Sequence, residues 1–294
     1  MHPDQQSGCF YFPSIMITLQ QAIQKKYSKY ADKMAYYFQQ ATDCELTWEN
    51  ITKPNLTDFS CYLQEELAKT TARTRCAMLK SVLGVYEEDI NLPRNWRECL
   101  SVKKDTSQQV YLNEKELKAF ADYQPKDEYE KIVQYTFLLG CLTGARHSDF
   151  IKFSDSNVND GFLTYVSIKT HTEATVPIAP MVKRLLDYVQ NIGETTMADS
   201  TFNQILRRIC MNSGINQSIT LYRRGIFSTR GKYFFVSSHT ARRTFATNLY
   251  LRGADLYAIS KMMGHASIEM TAGYICCGLR HLSTKVTSYF SQFE

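Results

Sequence analysis

Between residues 16 and 86 apolar side chains recur at intervals of three and four, the spacing that lines one face of an α-helix. Several helices are predicted there. The clearest cover 56–69, with Asn55 or Thr57 as cap after the break at Pro54, and 70–85, with Thr70 or Thr71 as cap. The periodicity lapses over 88–105, where Leu92, Pro93, Arg94 and Asn95 lead to Lys103 and Lys104, and this stretch reads as a linker. Helical spacing returns at Asn113, which with Glu114 and Glu116 makes a good N-terminus, and runs through Lys131 to Thr143, where Gly144 ends or bends the helix. A period of two then takes over. Phe162, Thr164, Val166 and Ile168 interleave with Leu163, Tyr165, Ser167 and Lys169, and a polar turn leads to 174–178, which predicts a small β-hairpin. Helices resume over 179–191, 201–213, 240–252 and 255–263.

The expected fold class is mainly α, a helical N-terminal domain followed by a mixed α/β domain of helices with a small antiparallel sheet. A length of 294 residues suits two domains. Their expected bounds are an N-terminal extension at 1–15, a helical domain at 16–105, and a second domain with a C-terminal tail at 106–294. A hydrophobic content of 44% and a charged content of 21% exclude wholesale disorder and collagen.

Charge sharpens the picture. Lys and Arg number 34 against 29 Asp and Glu, yet residues 1–110 hold 13 of each, so the whole excess of +5 lies in the second part. No acid occurs between Asp199 and Asp255, a stretch containing Arg207, Arg208, Arg223, Arg224, Arg230, Lys232, Arg242, Arg243 and Arg252. A cationic surface needs no such bias toward Arg, whereas the guanidinium fork suits phosphate. Nine scattered cysteines without a CxxC pair do not suggest a disulfide framework or a zinc ribbon, so no metal site is expected. With no signal-peptide pattern and no apolar run long enough for a bilayer, a reducing, cytoplasmic protein without membrane partners is expected.

Four segments of the second part carry polar groups that secondary structure alone does not require. In Thr143-Gly144-Ala145-Arg146-His147-Ser148-Asp149 a strongly apolar helix runs into Arg146, which needs an anionic partner, either Asp149 or a ligand phosphate. Lys169 sits at the hairpin tip, where a lysine is ordinarily solvated. In His239-Thr240-Ala241-Arg242 the His and Arg share a helix face, an arrangement that packing does not ask for and an anion between them would. Finally, His265 and Tyr274 lie nine residues apart, on opposite faces of any continuous helix. Gly264 suits a C-cap and Ser267 a new start, so a bend there brings both toward one site.

Two Arg, a Lys, two His and a Tyr make a set suited to a phosphodiester. The guanidinium groups clamp non-bridging oxygens, the activated Tyr hydroxyl attacks, a His takes the proton and a Lys protonates the leaving oxygen. In order and spacing, TGARHSD, IKT, HTAR, MGH and GYI resemble the tyrosine recombinases of the phage integrase and Xer type. Met263 stands where that family usually has Leu, which conserves apolar volume. The resemblance is specific over 111–294 and rests on helical composition and length alone before that.

It implies that Arg146 and Arg242 bind the scissile phosphate, which Tyr274 attacks to form a 3′-phosphotyrosyl link, with no ATP, metal or other cofactor. Lys169 would be the general acid, His239 an acid/base, His265 a hydrogen-bond partner of the phosphate, and Asp149 an orienting group for Arg146. Two domains would clamp duplex DNA, with Arg207, Arg208, Arg223, Arg224 and Arg243 among the contacts of the catalytic half. The tail after Tyr274, with Leu279, Leu282, Val286, Tyr289, Phe290 and Phe293 at helical spacing, either packs on its own domain or is donated within a homotetramer at specific sites. A mobile-element integrase is the leading expectation, without an arm-type DNA-binding domain. An Xer-type resolvase, a DNA invertase, a topoisomerase-like enzyme and a non-cutting DNA-binding protein of the same fold are the alternatives.

Overall fold

The computed structural model describes residues 17–104, 108–150, 153, 155–192, 197–223 and 226–277. The expected N-terminal extension, Arg224 and the tail beyond residue 277 lie outside the described residues, as does the side chain of Arg223. The chain divides into two compact units, one of residues 1–107 and 223–226 and one of residues 108–222 and 227–294.

The first unit is helical: α1 (Leu19–Tyr27), α2 (Ala31–Thr42), α3 (Lys53–Glu66), α4 (Lys69–Leu83) and a single turn, α5 (Trp96–Cys99). Leu19, Ile23, Met34, Phe38, Leu56, Phe59, Leu63, Leu79 and Leu83 are wholly buried and form its core. Helix α3 starts earlier than its periodicity predicts. Pro54 lies in its first turn, where the missing N–H has no intrahelical acceptor to lose, and Thr52 rather than Asn55 or Thr57 supplies the cap. Helix α4 begins at Lys69 without any side-chain cap, so neither Thr70 nor Thr71 plays that part. The stretch read as a linker is more structured than expected, because Ile90, Trp96, Leu100 and Val102 are buried in this core. They enter it singly from turns, which a test for periodicity cannot register.

The second unit contains α6 (Glu114–Asp122), α7 (Glu128–Thr143), α8 (His147–Phe150), α9 (Pro180–Ile192), α10 (Asp199–Asn212), α11 (Ser238–Leu251), α12 (Leu256–Met262) and α13 (Ile268–Ala272). Helix α6 is capped as expected, Asn113 and Glu116 each accepting from the other's backbone N–H. The helical region predicted from Asn113 to Thr143 is two helices, since Pro125 interrupts it and Asp127 caps α7 afresh. Strands β1 (Val158–Asn159), β2 (Phe162–Val166) and β3 (Glu173–Pro177) form an antiparallel sheet in that order, with Tyr165 opposite Ala174 and Leu163 opposite Val176. Those four side chains face the interior. A second hairpin, β4 (Ser218–Arg223) with β5 (Ile226–Gly231), is absent from the predicted elements: in β4 Ile219 and Leu221 alternate with Ser218 and Thr220 and turn toward the core, but the run is short, and the described side chains of β5 are exposed or half-buried. No described helix is long and apolar enough to cross a membrane.

Helix α7 is the axis of this unit and packs on α9, α10 and α11. It ends at Gly144, whose φ of 67° is left-handed and whose N–H closes on the Gly140 carbonyl. A Cβ here would lie 2.5 Å from the Phe245 ring of α11. Gly144→Ala therefore combines left-handed strain with overpacking and is expected to destabilise the second unit by about 2–4 kcal/mol. A shift of the urea midpoint reads this out, and an unchanged midpoint would contradict it.

Candidate active site

The site is assembled where the C-terminus of α7, the β2–β3 turn, the first turns of α11 and the α12–α13 loop meet. The turn released by Gly144 carries Arg146 into α8. Its Nη1 donates to Ser167 Oγ at 2.7 Å and lies 3.8 Å from Asp149 Oδ2. Asp149, 2% exposed, also accepts from Ser167 Oγ at 3.2 Å and from the Ile168 N–H at 3.1 Å. Arg146 is thus oriented by Asp149 and Ser167 together, and it remains partly exposed.

Lys169 occupies the β2–β3 turn, with an exposed side chain. That turn is fixed to the α12–α13 loop: Thr170 and Thr172 donate through their hydroxyls to the Gly264 carbonyl at 3.2 and 2.7 Å. Gly264 has φ 60°, and a Cβ there would meet Thr172 Oγ1 at 3.3 Å, so both its conformation and the closeness of the turn favour glycine. The general-acid candidate and the Gly-His segment are held by one carbonyl.

Helix α11 opens on a capping box between Ser237 and Thr240, and it presents His239 and Arg242 one turn apart. Arg242 is only 3% exposed. Its Nη1 donates to the Gly144 carbonyl, while Nη2 reaches the Met263 carbonyl at 3.2 Å and His265 Nε2 at 2.7 Å. Burial, and next the charge of Arg146, pull its pKa down. His239 is lowered as well, by burial first and then by Arg243, Arg242 and Lys169, which favours the neutral imidazole able to accept a proton.

The bend expected between His265 and Tyr274 is present. Helix α12 closes through the positive φ of Gly264, and Ser267 caps α13 by accepting from the Met270 N–H. The rings of His265 and Tyr274 come within 5.0 Å, and the Arg242 guanidinium carbon lies 5.3 Å from the Tyr274 ring centre. Because a guanidinium only donates, His265 Nε2 accepts, and Nδ1 carries the proton that goes to Thr271 Oγ1 at 2.9 Å. Burial first, then Arg242 and Arg146, push the His265 pKa down to about 4. Here His265 braces Arg242, with Nε2 engaged by the guanidinium.

Arg146, Lys169, His239, Arg242 and Tyr274 all line one cavity of about 440 Å³, together with His147, Asp199 and Phe202. The cations outside it are more tightly engaged than the charge count suggests. Arg208 pairs with buried Glu130 at 2.9 Å, Lys232 with Glu116 at 2.6 Å and Arg252 with Glu114 at 2.6 Å, so the acid-free stretch finds its acids upstream. Arg207 donates through Nε to the Val236 carbonyl at 3.1 Å, and Arg243 is half-buried in α11. Ser167, Thr271 and Asp199 belong to this surrounding shell and escape a reading by motif. Ser167 is visible only as a small polar residue on the inward face of β2, and Asp199 only as the acid that opens the acid-free stretch.

Two guanidinium groups, Arg242 buried and Arg146 partly exposed, beside a Tyr, a His and a Lys on a mainly helical scaffold make an arrangement suited to phosphodiester chemistry. Residues 110–277 match the phage integrase family. Tyrosine recombinase XerA from Pyrococcus furiosus is 30% identical over 179 residues, spanning 60% of each protein, and tyrosine recombinase XerD from Oceanobacillus iheyensis is 25% identical over 277 residues, or 89% of this chain and 91% of that one. Among solved structures, a Tn1549 transposon integrase in complex with a circular intermediate DNA superposes with a TM-score of 0.66 at 14% identity, covering 92% of this chain and 99% of the other. The chain belongs to the phage integrase family, and with it to the tyrosine recombinases.

The lowered His265 pKa has a definite sign. Below about pH 6.5 the unfolded chain takes up a proton that the folded site refuses, so stability falls as pH drops toward 4 and levels off beneath it, a loss on the order of 3 kcal/mol. Urea melts at pH 7 and pH 4 measure it. The loss is expected to be smaller in His265→Gln, and an equal loss in both proteins would contradict the assignment.

Proposed function

We propose that the chain is the site-specific recombinase of a mobile element, cutting and rejoining duplex DNA through a 3′-phosphotyrosyl intermediate. The observation that carries this reading is the convergence of Arg146, Lys169, His239, Arg242 and Tyr274 on one cavity from four separate segments. Membership of the tyrosine recombinases and the likeness of the fold to a transposon integrase on circular DNA support it.

In this mechanism Arg146 and Arg242 bind the non-bridging oxygens of the scissile phosphate and stabilise the charge that grows as phosphorus becomes pentacoordinate. The Tyr274 oxygen forms the new bond to phosphorus and its proton passes to His239, whose lowered pKa keeps a lone pair available near neutrality. The bond to the 5′-oxygen breaks, and Lys169 supplies its proton. His265 holds Arg242 in place throughout. One phosphodiester replaces another, so the reverse attack by a 5′-hydroxyl reseals the strand without an energy source. Arg207, Arg208, Arg223, Arg224 and Arg243 contribute contacts to neighbouring phosphates, Arg208 using the guanidinium edge that Glu130 leaves free. On the same reading the two domains clamp duplex DNA, the tail joins protomers in a homotetramer, and the enzyme works in the cytoplasm.

Nicked suicide duplexes tiled across the DNA that flanks the gene test the mechanism. Wild-type protein is expected to form a detergent-resistant adduct that Tyr274→Phe abolishes and that Lys169→Ala slows by about 10²–10⁴-fold. A 5′-thio leaving group, which departs without a proton, restores the Lys169→Ala rate. A folded protein that forms no adduct would overturn the proposal, as would an adduct that persists in Tyr274→Phe.

A further inference from the structure

The inward face of β2, continued one residue beyond the strand, presents Leu163, Tyr165 and Ser167 in alternation, all buried. Ser167 holds both Arg146 and Asp149. Tyr165, two residues earlier and 5% exposed, points the same way and packs its ring on Phe153 with centres 4.8 Å apart. A phenol buried among hydrocarbon groups ordinarily finds a hydrogen-bond partner. The Tyr165 hydroxyl makes no well-formed bond, and neither does Arg242 Nε, and both atoms are cut off from solvent. The guanidinium of Arg242 lies within reach of this hydroxyl, with Arg146 and Asp149 also acting on it. Two buried polar atoms of complementary chemistry, one a pure donor and the other with free lone pairs, therefore belong to side chains that act on each other beneath the site.

We infer that Tyr165 is a positioning residue, whose hydroxyl accepts from Arg242 Nε and holds the guanidinium plane while its Nη edge serves the phosphate. The hydrogen bonds of Arg242 to the Gly144 and Met263 carbonyls and to His265 all run through its Nη atoms, and among the described residues its Nε has no hydrogen-bond partner. The hydroxyl keeps its proton throughout the working range, since burial pushes its pKa up to about 12 against the opposing pull of the arginines. It is a neutral acceptor and does not cancel the charge the phosphate needs. Tyr165 is not part of the cavity wall and makes no contact with the reacting phosphorus, which separates its role from that of Tyr274.

The inference rests on Arg242 acting at the scissile phosphate. Tyr165→Phe removes one oxygen and keeps the ring, so core packing is preserved. Single-turnover cleavage of a nicked duplex that wild type cuts is expected to slow about tenfold, with DNA affinity within twofold of wild type and the melting temperature unchanged or higher. In an Arg242→Lys background, which lacks Nε–H in that geometry, the same change is expected to have no further effect. Cleavage by Tyr165→Phe at the wild-type rate overturns the positioning role while leaving the recombinase reading intact. So does a tenfold loss that persists in the Arg242→Lys background, or a Tyr165→Phe protein that fails to fold. Wild type that forms no adduct on any duplex overturns both.

Discussion

The site depends on one buried cation. Arg242, with 3% of its surface exposed, ties the end of α7 to the α12–α13 loop by donating to the Gly144 and Met263 carbonyls and to His265. Carbonyl dipoles and a neutral imidazole replace part of the water that a guanidinium loses on burial, yet none of them cancels its charge. Arg146 adds a second positive charge nearby, and Asp149, already shared among Arg146, Ser167 and the Ile168 N–H, offsets only part of it. Burial first, and this excess of positive charge second, depress the pKa values of Arg242, His239 and His265. A site held in this condition favours an anion with several oxygens.

Local structure delivers that constraint with little redundancy. Gly144 must turn left-handed so that its carbonyl meets Arg242 and Arg146 leaves the helix toward Ser167. Gly264 must do the same so that one carbonyl receives Thr170 and Thr172 while the next residue, His265, turns to the guanidinium. The turn bearing Lys169 and the loop bearing His265 are consequently one mechanical piece. Rigid second-layer contacts of this kind fix catalytic groups at a constant distance, which matters more to rate than the strength of any single bond.

Much of this was legible before any coordinates. The Asn113–Glu116 capping box, the stop at Gly144 and the Gly264–Ser267 bend are local signals, written within a few residues, and the structure bears each of them out. Chemistry suggested that a Tyr, two Arg, two His and a Lys at those spacings gather around an anion; five of the six line one cavity, while His265 lies behind it against Arg242. What escaped was either non-periodic or non-local. Trp96 and Leu100 enter the first core singly, and in β4–β5 only Ile219 and Leu221 turn inward, too short an alternation to announce a strand. The tautomer of His265 depends on Arg242, 23 residues upstream in sequence, and on Thr271. Lys232 and Arg252, counted at first among free cations, are matched by Glu116 and Glu114 more than a hundred residues away, a pairing that composition cannot disclose.

The uncompensated charge of buried Arg242 is open to direct measurement. Thermal melts across a series of inorganic phosphate concentrations, at constant ionic strength, report whether the folded site binds the anion, since selective binding raises the melting temperature with the logarithm of concentration. Wild type is predicted to show that rise and Arg242→Lys to lose most of it. A flat wild-type response, or an equal rise in both proteins, would contradict the claim that Arg242 is the centre of an anion site.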